Sequence, residues 1–216
     1  MSAIYRLHLD LAIIFSQCKM KKLPLSYYQD HNVTDLARSL LGKFLFTNIN
    51  GIVTGGMITE TEAYEGVTDK ASHAYGGLRS KRTEVMYAPG GHSYVYLCYG
   101  IHYLFNIVTS PKDVPHAVLI RGIYPLTGIQ EMLIRTGKEK SGYSLTNGPG
   151  KLTKALGITL QQNGVLLNGQ QVWVEERGIH CSATDIASGK RIGVEYAGKD
   201  ALLPYRFVMD FQNYIA

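Results

Sequence analysis

Hydrophobic and polar positions change their period early in the chain. In "VTDLARSLLGK" the apolar residues recur at helical spacing, with Thr34 placed to cap the helix and Gly42 to end it. The runs "KFLFTNI" and "IVTGGMITETEAY" have the period of strands and are separated by Asn50 and Gly51. Asn-Gly is a strong hairpin signal because both turn residues need a positive φ. The pattern therefore predicts a helix followed by a β-hairpin.

Strand-like and helix-like patterns continue along the rest of the chain. "GHSYVYLCYGIHYLFNIVTS" predicts two strands that reverse near Gly100, and "AVLIRGIYPL" predicts another buried strand. Helices are predicted over "TGIQEMLIRTGK" and "NGPGKLTKALGI", and residues 165–207 have the pattern of short strands with glycine turns. Because no βαβ order appears, the expected fold is α+β: a single compact domain with a mostly antiparallel sheet, hairpins and surrounding helices.

Residues 1–22 differ in character from the rest of the chain. Their apolar run over residues 11–15 is far too short to span a membrane. Met20, Lys21 and Lys22 look like an ordinary start. We therefore expect residues 1–22 to be a disordered or mis-assigned N-terminal extension, residues 23–216 to form the single domain, and the chain to have no membrane segment.

Charge and cysteine content narrow the function classes. Lys and Arg number 22 against 17 Asp and Glu, a formal charge of +5 with a sequence pI near 9.0, so an anionic partner is favoured. Cys18, Cys98 and Cys181 are far apart and form no C-x-x-C pair, which argues against a disulfide framework or zinc ribbon and for a reducing compartment. The seven histidines show no metal-ligand spacing, so no metal site is expected.

Two carboxylates and a ring share one face of the second hairpin arm. In "ITETEAY", strand alternation places Glu60, Glu62 and Tyr64 together, with the carboxylates ~6.5 to 7 Å apart. At that distance each carboxylate would raise the pKa of the other, as in a catalytic site. The same pattern fits a solvated strand face with cross-strand ion pairs, and the residues leave both interpretations open.

Tyrosines crowd the following hairpin, at positions 94, 96, 99 and 103. Rings near positive charge hold unstacked nucleobases, at about 1 to 3 kcal/mol per stack. Tyrosine is also an ordinary strand residue that packs in cores. Tyr99 lies beside Gly100 at the predicted tip, where a core side chain does not belong, so its ring is expected to insert into a partner.

Two polar residues are candidates for ligand contacts. If the turn covers residues 100–102, Asn106 falls opposite Tyr96, and its amide either caps backbone or contacts a ligand. "NGPGKLTKALG" is no P-loop, because Leu145 stands where the first glycine belongs and Leu152 where Ser or Thr belongs. Its glycine-rich turn at a helix start still places Lys151 for contact with a backbone phosphate.

Five motifs occur in order along the chain: "ITETEAYEG", "SHAYGG", "YVYLCYGIHYLFNIV", "LIRG" and "NGPGKLTKALGI". In order and spacing they resemble the 3-methyladenine (alkyladenine) DNA glycosylase family, over residues 23–207. The resemblance implies a monofunctional glycosylase of base-excision repair. It would flip an alkylated or deaminated purine out of duplex DNA and hydrolyse the N-glycosidic bond with a Glu-activated water. The product would be an abasic site in a strand that is not cleaved.

The resemblance also implies roles for individual residues. Glu62 would position and deprotonate the attacking water, and Arg121 would lie near that water and the backbone phosphate. Tyr99 would fill the gap left in the duplex, and Arg82 belongs to the basic loop expected to contact DNA. The residues implied to contact the flipped base are Tyr64, His73, Tyr96 and Asn106. Of these, the asparagine would exclude normal guanine by clashing with its amino group.

Partners and lesions are implied by the same resemblance. The partner would be double-stranded DNA containing damaged purines, bound by a monomer without metal or organic cofactor, in the bacterial cytoplasm or, in a eukaryote, the nucleus. 3-Methyladenine, 7-methylguanine, hypoxanthine and ethenoadenine all fit the family. One departure stands in the basic loop "SKRTEVMY", which has Thr83 where the family usually has Asn.

Two functions of other classes remain open on the residues alone. An O-glycoside hydrolase would use Glu60 and Glu62 as its acid and base, but this does not account for the basic charge or the tip tyrosine. A non-catalytic nucleic-acid-binding module would account for the charge and the rings but not for the carboxylates.

Overall fold

The computed structural model describes residues 21–29 and 32–215. The strands in these ranges are β1 (Lys21–Lys22), β2 (Phe44–Ile49), β3 (Ile52–Tyr64), β4 (Ser93–Cys98), β5 (His102–Thr109), β6 (His116–Thr127), β7 (Val172–Glu176), β8 (Ile186–Gly189) and β9 (Arg206–Met209). The α-helices are α1 (Val33–Ser39), α2 (Ile129–Thr136), α3 (Pro149–Leu156) and α4 (Gln212–Ile215). Short 3-10 helices lie at Leu25–Tyr28, Tyr75–Gly77, Glu84–Tyr87, Tyr143–Leu145, Leu160–Gln162, Ala183–Asp185 and Glu195–Leu202.

The strands form one antiparallel sheet. Its order is β1-β7-β2-β3-β6-β5-β4, and β9 pairs with both β3 and β8. Glu60, Thr61 and Glu62 of β3 pair with β6 on one edge and with β9 on the other, so this segment lies in the interior of the sheet. Helix α1 packs on the sheet at β3, and helix α3 packs on it at β5. The expected α+β class with hairpins and surrounding helices is confirmed.

The first hairpin forms as predicted. Strands β2 and β3 pair with Ile49 opposite Ile52. The turn residues Asn50 and Gly51 have φ of 54° and 82°, which is the conformation that Asn-Gly adopts most readily. The hairpin therefore delivers the end of β3 into the middle of the sheet.

Helix α1 starts one residue after Asn32, which caps it. The Asn32 side-chain oxygen accepts the backbone N–H of Thr34 at 2.9 Å. The prediction that Thr34 is the cap is wrong, because Thr34 already lies in the first turn while Asn32 has a non-helical ψ of 142°. Gly42, with φ of 80°, follows the helix end.

The β4–β5 hairpin turns one residue earlier than predicted. Cys98 pairs with His102, so the turn is residues 99–101. This register puts Asn106 opposite Tyr94, and the prediction that Asn106 lies opposite Tyr96 is wrong. Moving a turn by one residue moves every cross-strand partner by two positions and keeps each side chain on its face. The hydrophobic pattern is therefore the same for both turn positions and cannot distinguish them.

The core lies on the face of β3 opposite the carboxylates. Thr61 donates from Oγ1 to the carbonyl of Ala37 in α1 at 2.8 Å, and Ala63 is fully buried. Large side chains buried in the same cluster are Leu36, Phe44, Leu45, Met57, Ile58, Phe105, Ile107, Leu152, Leu156 and Phe207. Each contributes about 1.5 to 3 kcal/mol by burial. This packing anchors β3 and leaves its other face for polar chemistry.

The sheet reaches into the predicted N-terminal extension. Lys21 and Lys22 pair with Glu176 and Glu175 of β7, two residues before the predicted domain start at residue 23. Residues 1–20 of that predicted extension lie outside the described residues. Among the helices of the described ranges, none has the length and apolar character needed to cross a membrane.

Candidate active site

A cavity of about 880 Å³ opens beside the carboxylates of β3. Eight of the nine residues singled out from the sequence line it: Tyr64, His73, Arg82, Tyr96, Tyr99, Asn106, Arg121 and Lys151. The ninth, Glu62, is fully buried behind the wall, in contact with Tyr64 and Arg121. Residues that are up to 89 positions apart in the sequence are thus brought to one place.

Glu62 is held through both carboxylate oxygens. The backbone N–H of Ile192 donates to Oε1 at 2.9 Å, the Tyr64 hydroxyl donates to Oε2 at 2.9 Å, and Arg121 Nη1 lies 3.4 Å from Oε2. Burial raises the pKa of Glu62, and Arg121, the Ile192 N–H and the Tyr64 hydroxyl oppose that rise. A buried carboxylate fixed in this way is suited to take a proton from a water at the cavity wall.

Glu60 belongs to an ion-pair network beside Glu62. Its Oε1 accepts from Arg121 Nε at 2.9 Å and from Arg206 Nη1 at 3.1 Å. Arg121 is 9% exposed and bridges the two glutamates, so the prediction that Glu60, Glu62 and Tyr64 share a face is confirmed. The ion pairs considered as the alternative for this face are present. They are mostly buried beside a cavity, however, and not spread over a solvated surface.

Three rings pack together along the β4 side of the cavity. The His73 ring lies 4.6 Å from that of Tyr96 and 6.0 Å from that of Tyr94, at interplanar angles of 76° and 88°. His73 Nδ1 is 2.8 Å from the Tyr94 hydroxyl, and its Nε2 is 3.3 Å from Arg82 Nη2. Because a guanidinium only donates, Nε2 accepts and Nδ1 carries the proton. Edge-on packing of this kind holds the rings in fixed orientations.

His73 is a neutral ring at physiological pH. Burial and, after it, the positive charge of Arg82 lower the pKa of His73 to about 4. The Arg82 guanidinium carbon also lies 4.9 Å from the centroid of the Tyr96 ring. Arg82, expected from the sequence in a DNA-contacting loop, is thus part of the cavity wall.

Of the two roles that the sequence left open for Asn106, the structure shows the backbone contact. Asn106 is 4% exposed, and its Nδ2 donates to the carbonyl of Tyr94 at 3.0 Å, across the hairpin. It also lines the cavity. The backbone contact fixes the direction of an amide that a ligand in the cavity would meet.

Tyr99 is at the tip of the hairpin, as predicted. It is 87% exposed with φ of 49°, and its neighbours Leu97 and Ile101 are 42% and 71% exposed. Leu97 and Tyr99 also line the cavity. An apolar projection beside a cavity is the shape needed to enter a base stack.

Helix α3 begins at the cavity. Gly148, Pro149, Gly150 and Lys151 line it, and the Lys151 Nζ donates to Asn147 Oδ1 at 3.0 Å. A Cβ at Gly150 would lie 2.8 Å from the His102 ring, so glycine permits the helix to approach the hairpin. The positive end of α3 and Lys151 together favour an anion at this rim.

Thr83, which departs from the family pattern, organises the basic loop. It is 2% exposed, and its Oγ1 accepts the backbone N–H of Ser80 at 2.9 Å and donates to the carbonyl of Leu78 at 3.0 Å. These bonds close the turn that contains Arg82. Threonine at this position therefore stabilises the loop from inside.

The sequence interpretation missed the loop that holds Glu62. Arg191, Ile192 and Tyr196 belong to a stretch described only as short strands with glycine turns, and Ile192 and Tyr196 line the cavity. Arg206 was missed in the same stretch. Within residues 21–29 and 32–215, no group of three or more His, Cys, Asp or Glu side chains is placed to hold a metal ion.

The sequence matches known proteins over most of its length. The family model described as Methylpurine-DNA glycosylase (MPG) matches residues 26–213. A Bacillus cytotoxicus protein named "Putative 3-methyladenine DNA glycosylase" is 44% identical over 200 residues, covering 89% of this chain and 97% of that protein. Proteins of the same name from Chlamydia pneumoniae and Bacillus cereus are 44% and 42% identical, covering 85% and 89% of this chain and 92% and 98% of their own lengths. These matches confirm the resemblance found in the motifs, and the chain therefore belongs to the methylpurine-DNA glycosylase family.

Proposed function

We propose that this DNA glycosylase removes alkylated or deaminated purines from double-stranded DNA. The substrates would be of the 3-methyladenine, 7-methylguanine, hypoxanthine and ethenoadenine class, and the product an abasic site. The observation that carries the proposal is Glu62: a buried carboxylate, held on both oxygens, directly behind a cavity lined by aromatic rings. Because a base stacked within a duplex could not enter this cavity, the nucleotide would leave the base stack before reaction.

The flipped base would lie among Tyr64, Tyr96 and His73. Tyr96 and His73 are fixed to each other edge to face, and each ring that stacks on a base contributes about 1 to 3 kcal/mol. A neutral His73 does not repel the positive charge of a base alkylated at a ring nitrogen. The His73 ring is therefore compatible with both cationic and neutral lesions.

The chemistry would be hydrolysis at the sugar carbon that carries the base. As the N-glycosidic bond breaks, its electron pair leaves with the base and the sugar becomes oxocarbenium-like. The Glu62 carboxylate offsets this charge and takes a proton from the water whose oxygen bonds to that carbon. Arg121 keeps the carboxylate in place at 3.4 Å. Since Glu62 has no exposed surface, the water would reach it between Tyr64, Arg121 and Ile192.

DNA contacts would come from the rim of the cavity. Tyr99 would fill the space left by the flipped nucleotide, while Lys151 and Arg82 would contact the backbone. The net charge of +5 favours the same anionic partner. We expect a monomer that acts on chromosomal DNA in a bacterial cytoplasm, as the relatives above are bacterial.

Asn106→Ser is expected to release normal guanine about tenfold faster than wild type while still excising hypoxanthine. The serine is too short to crowd the amino group of guanine. The Tyr94 carbonyl, which accepts a hydrogen bond from Asn106 in the wild-type protein, belongs to the backbone of the hairpin. Release of guanine and hypoxanthine from matched duplexes, measured in single turnover, tests this. Guanine release at the wild-type background would assign Asn106 a purely structural role.

The proposed function is tested by base release from alkylated duplex DNA. Wild-type protein should release the damaged purine and leave the strand uncut until alkali is added. Cleavage of a chromogenic sugar without base release would favour an O-glycoside hydrolase. Tight binding to the duplex without release would favour a non-catalytic module.

A further inference from the structure

Arg191 is buried next to the proposed catalytic strand, although it lies in the loop between β8 and the Glu195–Leu202 helix. It is 4% exposed and forms a two-pronged ion pair with Asp69, which is 3% exposed. Its Nη2 also donates to the carbonyl of Asp200 at 3.1 Å. A guanidinium bonded in this way through both terminal nitrogens is held in one orientation. Removing either partner of the ion pair would leave the other as an unpaired buried charge.

The same guanidinium contacts β3 between the two proposed site residues. Its Nη1 donates to the carbonyl of Ala63 at 2.9 Å, and Ala63 separates Glu62 from Tyr64. The guanidinium carbon lies 4.8 Å from the Tyr64 ring centroid and 5.3 Å from that of Tyr205. Arg191 therefore fixes both the backbone of β3 and the ring of Tyr64.

The residue after Arg191 completes the contact. The backbone N–H of Ile192 donates to Glu62 Oε1 at 2.9 Å, while Tyr64 donates to Oε2. Burial and Glu62 raise the pKa of Tyr64, so its hydroxyl keeps the proton that it donates. The donors on both carboxylate oxygens thus depend on where Arg191 holds its own backbone and the Tyr64 ring.

We propose that Arg191, locked by Asp69, is the positioning residue for the Glu62 carboxylate. It acts by clamping the loop of Ile192 and the ring of Tyr64 to β3. This inference rests on the proposed function, because Glu62 must be the base for its orientation to matter. A displacement of about 1 Å at a reacting group costs about 10²-fold in rate.

Arg191→Lys is the direct test, with Arg135→Lys as a matched control. Lysine keeps the charge opposite Asp69 but cannot donate to Asp69 and Ala63 in one plane. Arg135 is a partly buried arginine that bonds Glu131 at 3.0 Å and the carbonyl of Ala155 at 3.2 Å, outside the cavity lining. We expect Arg191→Lys to slow single-turnover base release about 10- to 100-fold, with duplex affinity within about threefold of wild type. Arg135→Lys should lower the melting temperature by a similar amount but leave the rate of base release at the wild-type value.

The pH profile separates positioning from a loss of fold. Losing the Ile192 donor removes a bond that favours the ionised carboxylate, so the acidic limb of the rate profile should move upward by about one pH unit. The charged and titratable groups that face Glu62 are Arg121 from β6, Glu60 and Tyr64 from β3, Arg191 from the loop, and Arg206 from β9 through Glu60. All except Arg191 are unchanged in the variant.

Asp69→Asn provides a second variant, which leaves Arg191 in place but unlocks it. It should slow base release and shift the acidic limb in the same direction. Wild-type rates and an unshifted profile in folded Arg191→Lys and Asp69→Asn would overturn the positioning role alone. Absence of base release by the wild-type protein would instead overturn the proposed function, and this inference with it.

Discussion

Glu62→Gln is expected to slow single-turnover base release by about 10⁴-fold or more, with duplex binding within about threefold of wild type. Loss of a general base costs about 10² to 10⁴, and the neutral amide also loses the charge that offsets the oxocarbenium-like sugar. Binding persists because the rings and the phosphate contacts are untouched. Base release at enzyme excess and duplex affinity by fluorescence anisotropy measure the two effects separately.

Glu60→Gln is the matched control for that substitution. The amide oxygen still accepts from Arg121 and Arg206, which now bond Oε1 at 2.9 and 3.1 Å, but the charge is lost. We expect a loss of no more than about tenfold in base release, corresponding to ~1.4 kcal/mol. An essential Glu60 with a dispensable Glu62 would contradict the assignment of the base.

Tyr99→Ala is expected to weaken binding to lesion-containing duplex by about 10- to 100-fold, the loss of one stacked ring. The melting temperature should stay at the wild-type value, because the side chain is 87% exposed and contributes little buried surface to the fold. Tyr75→Ala, at a tyrosine that is 45% exposed and outside the cavity lining, serves as control and should bind normally.

Salt dependence supplies a second measurement for the same interface. Affinity should fall steeply with salt in both tyrosine variants, because neither removes a phosphate contact. Wild-type affinity in Tyr99→Ala would remove the ring from its proposed role. An affinity that does not change with salt would argue against DNA as the partner.

Local sequence patterns predicted the elements on which the site is built. Asn50 and Gly51 fixed the first hairpin because the turn and both arms are contiguous in sequence. The same reasoning placed Tyr99 at a tip, yet it misplaced the turn by one residue. That error moved the partner of Asn106 from Tyr94 to Tyr96 without exposing any apolar side chain, so no hydrophobic pattern opposed it.

Contacts that join distant parts of the chain were beyond such reasoning. Asp69 and Arg191 are separated by 122 positions, and nothing near either one indicates a buried ion pair. The hydrogen bond from Ile192 to Glu62 uses a backbone N–H, which every residue except proline has. The motif that contains Glu62 could be recognised, whereas the loop that orients it depends on the tertiary fold.

The central place of β3, the proposed catalytic strand, has a consequence for amide hydrogen exchange. Because β3 is paired on both edges from Glu60 to Glu62, these amides should exchange only when the sheet opens, near the limit set by global unfolding. The turn at Tyr99, by contrast, should exchange within the first seconds. Among the described residues, the proposed catalytic carboxylate thus lies in a slowly exchanging segment and the proposed DNA wedge in a rapidly exchanging one, so that the wedge can adapt to a duplex while the carboxylate stays where the fold puts it.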